Sequence, residues 1–178
     1  MRDSVSQREL ALKQLSVERH GQHTSDLAVL FQREFHTLAQ LSHPRIIAVF
    51  DFGVEERGPY YTMELLSGGD LRSSAPLAWP EACRLLYDVC SSLALVHARR
   101  WVHRDVTPLN IRRTQDGRAK LIDFGAMVSM GPCEVGVGTP PFAAPEVIQR
   151  SLLDARTDLF SVGATLYYVL TGRNAYPA

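Results

Sequence analysis

The apolar residues fall into strand-like runs early in the chain and helix-like stripes later. Leu10 to Leu15 reads as a strand, and because successive side chains alternate, Ala11 and Lys13 share one of its faces. Leu27, Phe31, Phe35, Leu38 and Leu41 then recur at helical spacing behind Ser25 or Asp26, either of which can cap a helix N-terminus. Glu34 sits in the middle of that apolar stripe. Two further strand-like runs, Ile46 to Phe50 and Tyr60 to Met63, are separated by a polar turn containing Gly53 and Gly58, and the bend Ser67-Gly68-Gly69 closes this half.

The second half opens with a helix expected from Pro80, which suits a first helical position, to Arg99. Ala82, Leu85, Leu86, Val89, Leu93 and Val96 form its buried stripe. After a loop at His103 to Asn110, a hairpin through Gln115-Asp116-Gly117 leads into the strand Ala119 to Ile122. The segment Gly125 to Pro145 has no periodicity and reads as a long loop, ordered or switchable, of the kind that carries function. A last helix is expected at Asp158 to Thr171. Its apolar stretch, Leu159 to Leu170, is shorter than the roughly 20 residues that span a bilayer, so it reads as a core helix.

Composition narrows the function classes. Nineteen Lys and Arg balance nineteen Asp and Glu, so no overall field favours nucleic acid or an anionic membrane surface. Cys83, Cys90 and Cys133 are odd in number and fit no metal-ligand spacing, which points to free thiols in a reducing compartment, and therefore to the cytoplasm. No apolar segment follows a basic one after Met1-Arg2-Asp3-Ser4, so no signal peptide is expected.

Glu34 is the first chemical oddity. A carboxylate on a buried helix face would demand a cation, and Lys13, inward on the preceding strand, is the candidate; otherwise Glu34 lies at the edge of the stripe in water. Further on, His103-Arg104-Asp105-Val106-Thr107-Pro108-Leu109-Asn110 places an Asp and an Asn five positions apart, and Asp123-Phe124-Gly125 begins eighteen positions after Asp105.

These residues resemble the catalytic loop and metal-binding motif of eukaryotic-type (Hanks-type) serine/threonine protein kinases, bacterial members included, and Leu10-Ala11-Leu12-Lys13 resembles their lysine strand. Lys13, Glu34, the catalytic loop, Asp123-Phe124-Gly125, Ala144-Pro145-Glu146, Asp158 and Gly163 follow in family order across essentially the whole chain. The resemblance implies an α+β, bilobal kinase-like fold: residues 1–66 as a small β-rich lobe with lysine strand, helix and hinge, and residues 67–178 as a helical lobe. It implies an ATP-dependent enzyme that phosphorylates serine or threonine of a protein substrate in signalling. Lys13, held by Glu34, would grip the α and β phosphates; Asn110 and Asp123 would bind Mg²⁺; Asp105 would accept the substrate hydroxyl proton. The adenine would lie against Ala11 and bond backbone groups of Glu64 and Leu66, with Met63 guarding the pocket behind. Asp70 would contact the ribose or a basic substrate residue, or else simply cap a helix.

Other matched positions are expected to act indirectly. Leu38, Val49, His103 and Phe124 would stack as a regulatory apolar column anchored by Asp158. Arg104 marks kinases controlled by activation-loop phosphorylation, with Ser129 the candidate phosphate acceptor, whereas Thr139 would lie in the substrate-docking segment near Asp105.

The sequence also departs from the family pattern. The lysine strand opens the chain and the Asp158 helix nearly ends it, so a partial catalytic domain of a larger protein is expected, lacking the glycine-rich phosphate loop and the arginine that pairs with Glu146. Thr107 stands where the family usually has a lysine, and Arg112 where an apolar side chain floors the adenine; Arg112 either stacks beneath the base or turns outward. Leu109 replaces an acidic residue of kinases that favour basic substrates. Two competitors remain: a non-catalytic kinase-like binding module, opposed by the presence of Lys13, Glu34, Asp105, Asn110 and Asp123 together, and a small-molecule kinase of aminoglycoside or choline type, opposed by Ala144-Pro145-Glu146 and Asp158.

Overall fold

The computed structural model describes residues 1, 7–16, 24–134 and 136–176, with residues 24 and 25 as backbone only. The chain divides into two compact units: residues 1–42 with 47–66, and residues 43–46 with 67–178.

In the first unit, β1 (Leu10–Gln14), α1 (Thr24–Ala39), β2 (Val49–Glu55) and β3 (Gly58–Glu64) form an antiparallel sheet of order β1-β3-β2 with one helix against it. The apolar stripe of α1 supplies the core: Phe31, Phe35 and Leu38 are buried, and Phe31 and Phe35 meet Tyr61 with ring centroids 5.0 and 5.8 Å apart. Phe52 closes the cluster 5.5 Å from Phe35. Burying aromatic rings of this size is the main source of stability available to so small a sheet.

Three sequence expectations shift here. The helix starts at Thr24, which puts Ser25 and Asp26 inside its first turn. Ile46 makes only an isolated bridge to Leu121, and the strand expected over Ile46 to Phe50 instead starts at Val49 and runs to Glu55. Gly53 therefore lies within β2, not in the turn, which is confined to Glu56 and Arg57. Its register partner is Tyr60, and a Cβ on Gly53 would come within 2.6 Å of the Tyr60 ring, so glycine answers a packing demand that resembles turn punctuation in the sequence.

The second unit is mostly helical. α2 (Leu71–Ser74) and α3 (Trp79–Ala98) come first, then β4 (Trp101–Val102), a 3₁₀ turn at Pro108–Asn110, and the hairpin β5 (Ile111–Arg113) to β6 (Ala119–Leu121). β7 (Val128–Ser129) pairs with β4, β8 (Gly131–Pro132) pairs with β9 (Leu152–Leu153), and α4 (Pro145–Ile148) and α5 (Ala155–Thr171) complete the unit. The expected stripe of α3 is buried as a set, and α3 packs on α5 and β6. The expected long loop after Gly125 is thus a chain of short paired pieces over a satellite core of Val102, Cys133, Ala144, Val147 and Leu153.

α5 begins three residues before Asp158, because Asp154 caps it by accepting from Arg156 N–H at 2.8 Å. Glu146, expected to lack a partner, accepts a 2.8 Å hydrogen bond from the Thr157 hydroxyl on the first turn of that helix. Among the described residues, no helix is long and apolar enough to cross a membrane.

Candidate active site

In the first unit, Lys13 Nζ donates to both oxygens of Glu34, at 2.7 and 3.0 Å. The inward face of β1 and the apolar face of α1 bring them together, and Tyr61 Oη on β3 donates to Glu34 Oε1 at 2.9 Å. Glu34 is 8% exposed, so the solvated-edge alternative does not hold: three donor contacts offset the cost of burying the carboxylate. Ala11 lies one pleat from Lys13, opposite Met63 on β3. Glu64 ends β3, its N–H and Oε1 both bonded to Ala48, while Leu66 follows as partly buried chain.

In the second unit, Asp105, the one carboxylate of the catalytic loop, is fixed at both oxygens. Oδ1 accepts from Thr139 N–H at 3.1 Å and Thr139 Oγ1 at 2.7 Å, and Oδ2 accepts from Asn110 Nδ2 at 2.7 Å. Asn110 Nδ2 also reaches the Asp105 carbonyl at 2.9 Å. Its amide nitrogen being spent on Asp105, Asn110 turns its carbonyl oxygen away from that carboxylate. Thr107, in the family's lysine position, is buried and accepts from Asn110 N–H at 3.4 Å, capping the 3₁₀ turn that carries the amide. That local capping role was not read from the sequence, although a Thr three residues before Asn110 and just ahead of Pro108 is a capping pattern.

The backbone is held in a sparsely populated region at two of these positions. Arg104 has φ of +67° and Asp123 φ of +60°, strained values for residues with a Cβ, of the kind that gather at functional sites. Arg104 is held by its N–H to Asp158 Oδ1 and its Nε to the Ala126 carbonyl, at 2.9 and 2.6 Å. Asp123 is exposed, and its Oδ1 accepts from Gly125 N–H at 3.4 Å. Gly138 brings Thr139 in: a Cβ there would stand 3.1 Å from the Arg104 carbonyl, at a φ of +151°.

Asp158 is fully buried and organises the loop from below. Oδ2 accepts from His103 N–H at 2.9 Å and meets His97 Nε2 at 2.7 Å. The His103 ring stacks edge-on against Phe124 with centroids 4.6 Å apart, and its Nδ1 accepts from Asp105 N–H at 3.3 Å. Burial pushes the His103 pKa below its ordinary value, and the carboxylates of Asp158, Asp105 and Asp123 do not offset it.

Other expected positions have local partners. Asp70 caps α2, accepting from Ser73 N–H at 2.8 Å, and its backbone bridges Arg112. Arg112 is partly buried on β5 opposite Lys120, and Ser129 is exposed opposite Trp101. Asp88 on α3 was missed altogether. Its carboxylate takes Arg118 at 2.6 and 3.0 Å, Ala119 N–H at 3.0 Å and Arg45 at 3.3 Å. Burial pushes its pKa up, but the Arg118 hydrogen bond, the Ala119 N–H and the two arginine charges outweigh this and hold it below the ordinary value.

A lysine–glutamate pair in a helix-backed sheet, with a catalytic-loop Asp fixed beside an Asn and a left-handed Asp-Phe-Gly, defines a protein-kinase-type chain. The family profile described as "Protein kinase domain" matches residues 1–178, and the chain belongs to that family. It is 35% identical over 157 residues to serine/threonine-protein kinase PknB of Mycolicibacterium smegmatis, an alignment covering 80% of this chain and 25% of that protein. It is 34% identical over 178 residues to PknL of Mycobacterium bovis, covering 95% and 44%, and 37% identical over 183 residues to the DNA damage-responsive serine/threonine-protein kinase RqkA of Deinococcus radiodurans, covering 96% and 27%. The chain thus spans between a quarter and a half of the length of these relatives.

Proposed function

We propose that this chain transfers the γ-phosphate of ATP to serine or threonine hydroxyls of proteins, with Mg²⁺ as the metal. The observation that carries this reading is the Asp105 carboxylate, oriented by Asn110 and Thr139 as a proton acceptor needs to be. Asn110 and Asp123 fit a hard cation, since both offer oxygen donors, the one a carbonyl and the other an exposed carboxylate. Bound there, the metal would neutralise phosphate charge. Lys13, oriented by Glu34, would hold the α and β phosphates; Ala11 and backbone groups of Glu64 and Leu66 would receive the adenine. Asp70 caps α2 through Oδ1 alone, so its second carboxylate oxygen would be the one to approach the ribose.

Residues 1–66 and 67–178 would act as the small and large lobes of the domain. The greater length of the relatives supports further domains in the whole protein, and three cysteines that form no disulfide among the described residues support a cytoplasmic setting.

The test is phosphotransfer from γ-labelled ATP to a mixed protein substrate with Mg²⁺, compared with Asp105→Asn and Asp123→Asn. Label on serine or threonine that both variants abolish supports the reading. Equal labelling by wild type and variants removes it. A Mg-ATP-dependent rise in unfolding midpoint without any transfer would favour a nucleotide-binding, non-catalytic module.

A further inference from the structure

A cavity of about 310 Å³ opens in the second unit beside the catalytic loop, and Arg72, Thr107, Leu109, Thr139, Phe142 and Tyr168 are among the residues that line it. Thr139 is the residue whose hydroxyl bonds Asp105, so the cavity shares a wall with the proton acceptor. Phe142 and Tyr168 form its apolar side with rings edge-on and centroids 6.0 Å apart. Arg72, on α2, is the single charged residue of the lining among the described residues, and no described side-chain carboxylate lines the cavity. Its guanidinium is exposed and makes no hydrogen bond or ion pair among the described residues. Asp105, the partner of the Thr139 hydroxyl in that wall, already receives three donors from Thr139 and Asn110.

We infer that this cavity selects protein substrates bearing an anionic side chain near the acceptor serine or threonine, with Arg72 as the residue that reads it. The inference deepens the kinase reading and rests on it. A guanidinium with its five donors unspent is a ready partner for a planar carboxylate or for a phosphate. Leu109, 45% exposed, offers no negative charge to attract a basic substrate, and the ring wall suits the aliphatic stem of a glutamate. The same chemistry would accept Asp, Glu or a residue phosphorylated beforehand.

Two readouts separate the possibilities. In the first, the full chain is titrated with fluorescent peptides whose acceptor is replaced by alanine, carrying glutamate, phosphoserine, glutamine or lysine at each position within four residues of the acceptor site. Binding needs no phosphotransfer, so it stands even if the kinase reading fails. The expected result is binding about tenfold tighter for an anionic residue at one position than for glutamine, as one charge-assisted hydrogen bond would give, weakening with salt. Arg72→Ala should abolish the difference and Arg72→Glu should move the preference to lysine. In the second, acceptor-containing peptides are phosphorylated: KM should rise for the anionic peptide in Arg72→Ala while kcat holds. A phosphoserine preference much above glutamate identifies pre-phosphorylated substrates, and parity identifies acidic ones. No anionic preference in binding, or one that survives both Arg72 variants, overturns the inference whether or not the chain transfers phosphate.

Discussion

Thr139 gives both its hydroxyl and its backbone N–H to one oxygen of Asp105, at 2.7 and 3.1 Å, leaving the other oxygen to Asn110. The backbone bond does not depend on the side chain in Thr139→Ala or Thr139→Ser, so the hydroxyl can be tested alone. Thr139→Ala should lower kcat about tenfold, the worth of one hydrogen bond to a charged group, while Thr139→Ser stays within a few-fold of wild type. Steady-state kinetics on both variants decides it; equal losses would mean that the methyl group, not the hydroxyl, matters.

Tyr61 is the third member of the Lys13–Glu34 arrangement, and its ring is buried. Tyr61→Phe keeps that ring and removes the donor, so it should destabilise the first unit by about 1–2 kcal/mol. Glu34→Gln should additionally weaken Mg-ATP binding, because Lys13 loses its anion. Urea unfolding together with a nucleotide titration separates the effects: loss of nucleotide affinity in Tyr61→Phe as large as in Glu34→Gln would show that the phenol, too, sets the lysine.

Asp88 holds Arg118 and Arg45 while almost wholly buried, its side chain 1% exposed. Asp88→Ala should cost about 2 kcal/mol, since it removes the acceptor of Arg118, Arg45 and the Ala119 N–H, a loss that water reduces because the two arginine side chains stay 38% and 20% exposed. Because its native pKa is depressed, this contribution is present above the ordinary carboxylate range and disappears as pH falls through the native value. The acid limb of the wild-type stability profile should therefore flatten in Asp88→Ala.

His103 gives a pH signature of opposite origin. Its native pKa is lowered by burial, so the unfolded chain binds a proton first as pH falls below about 6.5, and stability drops through that window. His43, lowered by burial and by Arg45, adds to the same slope. The urea midpoint should fall between pH 7 and pH 5.5, with the His103 ring titrating below its ordinary value by NMR; a ring that titrates at or above that value would contradict the assignment.

Much of the site was legible because it lies in short contiguous motifs. His103 to Asn110, Asp123-Phe124-Gly125 and Ala144-Pro145-Glu146 are local patterns, and the α1 stripe with Glu34 in its midst announced a buried carboxylate in need of a cation. Asp88 went unread because one acid in a helix looks the same whether it faces water or two arginines, thirty and forty-three positions away. Gly53 was misread for a similar reason: an isolated glycine marks a turn or a close approach, and only the Tyr60 ring across the strand tells which.

The sequence by itself determined the residue types and their order, and hence the family, the periodic faces of α1, α3 and α5, and the set of groups available for phosphate chemistry. Only the tertiary structure decided which partner each polar group takes. Thr107 became a cap, Glu146 found Thr157, and Arg72 remained unspent beside the Asp105 wall. Periodicity and motif spacing are properties of adjacent residues, whereas the partner of a buried charge is fixed by which distant segment packing brings within about 3 Å.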